Sequence, residues 1–424
     1  MILNVDESQD QRAETLRGCY SGEVSVSSLF TPTLAAAREQ LHSFNPRGYA
    51  KTRNDIGGNV SRLNPYITWG VFTLAEVQRY AQKRLGGHSQ GKDYGKFVNE
   101  LGWKAYFREG FLALGDRVYG SLEPYKYPTQ KRDEMPPEIE RGETGLSCID
   151  RIVHELKDTG YLHNHQRLWF AAYVTHFANV EWWHGERLFY RYLVDGEPGP
   201  NALSWQWVAS TFSSKPYYFN SENMRQNGHE PCEDAPFNDS YEALDERFFN
   251  GYGKGGFEKR PKEQPQSVAN VPHSDLLRPA GERPLVLLHA ERLSDGARVL
   301  EVTDAPVLVY LDAERFKREQ PSFMRLHFAV SLAADLVKRL REEGREVELM
   351  FGDSGEILNY VKERGCESLA APGSWHPGTW RMLGRLNEEL PVSVIEDEPF
   401  ARVEASLRSF SSYWKRAEKQ VMRR

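Results

Sequence analysis

The apolar periodicity of this chain changes partway along its length, across a stretch that has none. From Asn250 to Asp275 the sequence reads NGYGKGGFEKRPKEQPQSVANVPHSD. Glycine, proline, glutamine and charge dominate, so the stretch has no face to bury, and a linker is expected over 250–281. Gly251, Gly253 and Gly256 fall into a GxGxxG pattern. No strand precedes them and prolines follow, so the context of a dinucleotide fingerprint is missing. A chain divided in this way builds two units by different rules.

Upstream, the segment TGLSCIDRIVHELKDTG places Ile149, Ile152, Val153 and Leu156 at helical spacing ahead of Gly160. The next segment, HNHQRLWFAAYVTHFANV, repeats that spacing through Leu168, Ala171, Ala172 and Thr175. Alternating runs are scarce, so residues 1–249 are expected to form an all-α unit. Downstream, RPLVLLHA and APVLVYLD are short apolar runs of the kind buried in parallel sheets. An amphipathic helix follows, with Leu326, Val330, Ala333, Leu336 and Leu340 on one stripe. It is ended by Lys338, Arg339, Arg341 and Gly344. EVELMFGD and VSVIED continue the alternation. Residues 282–400 therefore predict a doubly wound, Rossmann-like parallel α/β domain, and 401–424 a basic C-terminal helix.

Composition excludes several classes. With 40% hydrophobic and 27% charged residues, the 424-residue chain is globular. Its net charge of −6 means that nucleic-acid binding needs a local positive groove. The N-terminus MILNVDESQD lacks the flanks of a leader, and no apolar run approaches a membrane span. Cys19, Cys148, Cys232 and Cys366 form no CxxC pair, which predicts reduced thiols in a cytoplasm. Histidines at i and i+2 in LHNHQR do not share a helix face. In GHEPC, His229 and Cys232 have no second pair, so Cys232 is expected to be a lone surface thiol and no metal site is expected.

The chemistry concentrates in one run, TGYLHNHQRLWFAAYVTHFANVEWWHGERLFYRYLVDGEPGPNALSWQWVAS. It resembles the flavin-binding domain of the photolyase/cryptochrome family, through Asn164, Arg167, Trp182, Gly185, Glu186, Asp195, Asn201, Trp205 and Trp207 in order. NVSRLNPYITWG is similar to the family's phosphate loop and VNELGWKAYFRE to its NELxWREFY helix. The α/β part resembles the family's antenna-type domain, which ordinarily comes first, so the resemblance implies a circular permutation. It also implies bound FAD; whether a second, antenna chromophore is held stays open. Trp375 and Trp380 are expected to pack against the sheet.

By that resemblance Tyr49, Ser61, Arg62, Leu63 and Asn64, with Arg53 nearby, cradle phosphate and ribityl groups. Val60 stands where the family has threonine, removing one hydroxyl. Asn201 would face the flavin as a neutral amide, with Arg167 on one side and Asp195 and Glu197 on the other. Trp205 matches the flavin-proximal member of an electron relay and Trp182 the middle one. The outermost has no counterpart, leaving Tyr125, Tyr127, Trp169 and Trp183 as candidates.

Trp103 and Trp207 match a pair that walls a pyrimidine-dimer pocket, with Glu100 and Asn164 as polar contacts to both dimer and cofactor and Glu100 in a catalytic role. Lys104 and Leu168 replace an arginine and a methionine, and His165 adds a polar or cationic group there. The implied activity is blue-light-driven splitting of cyclobutane pyrimidine dimers in DNA. The alternative is a photoreceptor signalling to a protein partner. After Asn220 the sequence FNSENMRQNGHEPCEDAPFND departs from the family pattern and is acidic, which rebuilds one wall of the substrate face.

Overall fold

The computed structural model describes residues 1–86, 91–249, 281–403 and 409–422. All but the last residue of the expected linker, and its glycine pattern, lie outside these. The helical half is organised around α1 (Lys92–Leu114), whose Tyr94, Phe97, Val98, Leu101 and Ala105 recur at three- and four-residue steps and are buried. It stops at Gly115, whose φ of 55° a side chain would resist. Helix α2 (Ser147–Thr159) buries Ile149, Ile152, Val153 and Leu156 and ends at Gly160 with φ 69°. Helix α3 (Asn164–Ala172) is shorter than its periodicity suggests. A π turn over Tyr173–Phe177 replaces the expected continuation, and there the Thr175 carbonyl accepts from Lys131 Nζ at 2.5 Å instead of extending a helix. Helices α4 (Trp182–Tyr192) and α5 (Pro198–Ala209) follow, the latter opening on proline, which suits a first turn.

The second half is a five-stranded parallel sheet of β1 (Pro284–His289), β2 (Val307–Asp312), β3 (Val347–Gly352), β4 (Ser368–Ala371) and β5 (Val392–Val394). The order is β3-β2-β1-β4-β5, with Val286 opposite Val307 and Val309 opposite Leu349. Both faces are covered, which is why the strands read as unbroken apolar runs. The order reverses between β1 and β4, where α/β folds leave a crevice at the strand ends. Helices α6 (Ala313–Glu319), α7 (Phe323–Glu342) and α8 (Pro377–Glu389) flank the sheet. The last helix, α9 (Phe410–Val421), lies beyond it.

Two expectations need correction. Residues 1–249 are not one helical unit, because the chain start packs on the sheet. Leu3 N donates to Leu349 O and Phe351 N to Met1 O, and Leu3, Val5, Leu16 and Phe30 join the core between sheet and α7. The C-terminal helix does the reverse: Tyr413, Ala417 and Val421 enter the core around α1. The thiols are not all reduced. Cys148 and Cys232 form a disulfide across 84 residues, Cα atoms 5.6 Å apart, because the segment after Asn220 folds back onto the start of α2. His229 Nε2 lies 3.0 Å from Cys148 O in the same contact. Cys19 and Cys366 are free.

Candidate functional site

A cavity of about 430 Å³ opens in the helical half. Three helices line it by the same device. Helix α1 contributes Glu100, Trp103, Lys104 and Phe107; α3 contributes Asn164, Arg167, Leu168 and Ala171; α5 contributes Asn201, Ser204, Trp205 and Val208. Each set is a stripe at i, i+3, i+4 and i+7, the spacing that puts side chains on one helical face. Leu193, Asp195, Gly196 and Glu197 of the loop between α4 and α5, together with Arg53, Asn64, Lys96, Phe189, Pro200 and Trp207, complete the wall.

Asp195 is the polar centre. Its side chain is fully buried; Oδ2 accepts from Arg167 Nη2 at 2.8 Å and from Asn64 Nδ2 at 2.6 Å. Its other oxygen, Oδ1, is buried without a partner. A buried carboxylate oxygen without a hydrogen bond is costly, so Oδ1 keeps acceptor capacity that no described side chain meets. Arg167 is itself fixed, Nε donating to Leu162 O at 2.9 Å. Asn201 donates through Nδ2 to Glu186 Oε1 at 2.8 Å and to Glu186 O at 3.0 Å. That leaves its carbonyl oxygen for the cavity. Burial raises the Glu186 carboxyl to about 7 despite the Asn201 bond and nearby arginines.

Within the wall, Glu197 accepts from Arg108 at 2.6 and 2.9 Å, from Thr68 at 3.0 Å, and from Lys104 at 2.5 Å. Burial pushes Glu197 up, but Arg108 and Lys104 outweigh it and hold the carboxylate below its usual range. Burial lowers Lys104 to about 8. Glu100 pairs with Lys96 at 2.8 Å and Arg53 at 3.3 Å. Trp103 carries Phe410 of α9 stacked on one face, centroids 3.7 Å apart and planes 13° off parallel. Trp205 is buried, edge-on to Phe189 at 5.1 Å. A Cβ on Gly185 would lie 2.1 Å from its Cη2, so glycine is required there.

Trp182 does not line the cavity. It sits one turn before Gly185 on α4, buried, with Nε1 donating to Ser121 Oγ at 2.9 Å. Its ring meets Trp183 at 5.9 Å, and Trp183 Nε1 donates to the exposed Asp133 at 3.2 Å. Trp169 instead contacts His165, Phe219 and His229. Tyr125 and Tyr127 contact each other, and Tyr127 also meets His176. Of the four candidates for the outer relay position, Trp183 is the one in ring contact with Trp182.

Tyr49, Ser61, Arg62, Leu63 and His165 also stay outside the cavity lining. Tyr49 packs into the core against Phe44 and Phe97. Arg62 adopts φ 51° and is exposed, Leu63 is buried in the core, and Ser61 Oγ accepts from Leu63 N at 3.4 Å. The tripeptide is a turn that aims Asn64. His165 Nδ1 lies 2.7 Å from Asn54 O, with its ring stacked on Trp169. Arg108, Phe189 and Ser204 were not foreseen, although Arg108 lies four residues beyond Lys104 on the same helical face. No group of three or more metal-ligating side chains occurs among the described residues, nor does a helix long and apolar enough to cross a membrane.

Comparison with known proteins bears on this geometry. Residues 97–241 match a family model described as the FAD binding domain of DNA photolyase. A deoxyribodipyrimidine photo-lyase of Streptomyces griseus is 33% identical over 171 residues, covering 38% of this chain and 35% of that protein. The corresponding protein of Halobacterium salinarum is 28% identical over 214 residues, with 48% and 44% covered. A bacterial class III photolyase structure from Agrobacterium tumefaciens superposes with a TM-score of 0.41 at 26% identity, over 47% of this chain and 43% of that one. The chain thus spans less than half the length of these relatives. The matched segment is a photolyase-type FAD-binding domain, and FAD is its cofactor.

The residues present fit that cofactor. A flavin ring carries an N–H group, which a carboxylate among the lining residues, such as Asp195, would accept. Arg167 offers positive charge to an electron-rich ring, and the Asn201 amide is neutral and already oriented.

Proposed function

We propose that this chain is an FAD-dependent, light-driven enzyme that splits cyclobutane pyrimidine dimers in DNA. One observation carries the reading. Glu100, Trp103 and Trp207, the groups suited to an extruded pair of damaged bases, line the same cavity as Asn64, Arg167, Asp195 and Asn201, the groups suited to the cofactor. When bound, reduced FAD supplies the light-excited electron and takes it back.

The protein's own residues do the rest. Asp195, Arg167 and Asn64 orient the cofactor through one hydrogen-bonded cluster. Trp103 and Trp207 offer aromatic faces to bases taken out of the stack, and damaged bases cost least to unstack. Because Phe410 covers one face of Trp103, a base can stack only on the other. Glu100 presents a carboxyl at the lesion, held by Lys96 and Arg53, and those two cations lie where a phosphate backbone would approach in an otherwise acidic chain. Trp205 on the cavity wall and the Trp182–Trp183 pair, in ring contact and ending beside the exposed Asp133, are the indoles we assign to carrying oxidising equivalents away.

We further read the chain as circularly permuted, helical half first and α/β half second. Permutation is tolerated where chain ends lie at the surface near the joined segments. It is supported by each end of this chain packing into the opposite half.

The experiment is direct. Reduced protein is illuminated with dimer-containing oligothymidine and the thymine absorbance is followed. Recovery of absorbance in light and not in darkness is expected. The acidic segment after Asn220 favours the second reading, a photoreceptor with a protein partner; flavin photoreduction without thymine recovery would select it.

A further inference from the structure

Arg325 belongs to α7, in the α/β half, yet its guanidinium serves the helical half. It is 1% exposed. Nη1 donates to Tyr190 O at 2.9 Å and Leu193 O at 3.0 Å, and Nη2 to Gly196 O at 2.7 Å. The group also lies over the Tyr190 ring, 4.0 Å from its centroid. Among the described residues no carboxylate forms an ion pair with it. A buried guanidinium satisfied by carbonyls holds backbone, not charge, in place.

The backbone it holds carries Asp195. Of the neighbouring carbonyls, Val194 O accepts from Trp69 Nε1 at 2.8 Å and Asp195 O from Thr68 Oγ1 at 3.1 Å. All four carbonyls from Leu193 to Gly196 are therefore engaged, and the peptide planes on both sides of Asp195 are fixed. The approach is close enough to dictate sequence, since a Cβ on Gly196 would lie 2.2 Å from Arg325 Nη1. Ser322, the N-cap of α7, adds a bond from its N to Arg191 O at 2.8 Å. The N-terminal end of α7 thus meets the C-terminal carbonyls of α4, an attraction of opposite dipole ends.

We infer that Arg325 is a positioning residue through which the α/β half sets the Asp195 carboxylate, so that FAD affinity depends on how the two halves dock. Coupling is reciprocal, so FAD in turn tightens the docking. This rests on the assignment of FAD to the cavity.

The test compares full-length wild type, Arg325→Met, Arg325→Lys, Gly196→Ala and the control Arg12→Met. Arg12 bonds Ser331 of the same helix at 2.6 Å, away from the loop. Gly196 has no positive φ, so alanine there collides with the guanidinium without straining the backbone. Should Arg325→Met not fold, Gly196→Ala carries the test. Three quantities are read: FAD dissociation constant, thermal midpoint of the apoprotein, and amide exchange over residues 323–328 with and without FAD. Arg325→Met and Gly196→Ala are expected to weaken FAD at least about tenfold, with lysine intermediate because it lacks the planar fork. Arg12→Met should lower the midpoint and leave FAD affinity within about twofold. FAD should slow exchange at the start of α7 in wild type and not in Arg325→Met. Unchanged affinity in Arg325→Met, or an equal loss in Arg12→Met, overturns the inference while leaving the cofactor in place. A wild-type chain that takes up no FAD overturns both.

Discussion

The two halves of this molecule each contain the place where their fold puts a ligand, and they treat it in opposite ways. In the helical half the cavity stays open at about 430 Å³, and one of its lining residues, Asp195, has a buried carboxylate oxygen without a hydrogen-bond partner. In the α/β half the crevice at the reversal of strand order is closed by its own side chains, leaving about 60 Å³. There Glu291 receives Arg315 at 2.8 Å and Thr379 at 2.8 Å, with His289 Nδ1 3.0 Å away. Burial raises Glu291, but His289 and Arg315 hold it well below the ordinary carboxylate range. Each site keeps one buried polar atom without a hydrogen-bond partner, Asp195 Oδ1 in one half and His289 Nδ1 in the other, so the halves differ in the space they leave for a ligand, about 430 Å³ against about 60 Å³.

Removing the central acid from each half should break them differently. Asp195→Ala is the largest change. It unpairs Arg167 and removes the acceptor, so flavin content of the purified protein should fall by about a hundredfold or more in affinity. Full flavin retention would erase the distinction between the halves. Glu291→Gln should instead unfold more easily, by about 3 kcal/mol in a denaturant titration, because Arg315 loses a buried partner, with FAD affinity unchanged.

Trp205→Phe should slow flavin photoreduction at least about tenfold, which corresponds to about 1.4 kcal/mol of barrier, and leave repair by chemically reduced protein intact. Trp183→Phe should give a smaller loss of the same kind, read by transient absorption.

The smallest effect is a pH dependence. A carboxyl whose folded pKa lies above its unfolded value binds more protons folded than unfolded. It stabilises the fold below the unfolded value and loses that contribution as pH rises. Glu186, raised from 4.5 to about 7 by burial, should therefore cost stability between those values. Thermal midpoints of Glu186→Gln should vary less with pH across that window than those of wild type.

How much of this could be read from sequence follows the same division. Asn164, Arg167, Asp195, Asn201, Trp205 and Trp103 entered through the resemblance of one run to a known family, and all six line one cavity; five of them lie on helices and Asp195 lies in the loop between two. The tripeptide Ser61–Arg62–Leu63 lies outside the cavity lining, with a left-handed φ at Arg62, and a φ is not written in residue order. The Cys148–Cys232 bond and the stacking of Phe410 on Trp103 join residues far apart in sequence, where local periodicity carries no signal. The parallel sheet was foreseen from its apolar runs. The pairing of the first residues with its edge was not, since Met1 to Leu3 is too short to show a period.

The claim everything else depends on is that one cavity serves both the coenzyme and the damaged bases. Adding oligothymidine with a single cyclobutane dimer to flavin-loaded protein in the dark tests it without any turnover. The account predicts a shift of the visible flavin band that undamaged oligothymidine does not produce and that Trp103→Ala abolishes. An identical response to both oligonucleotides, or none to either, would contradict it.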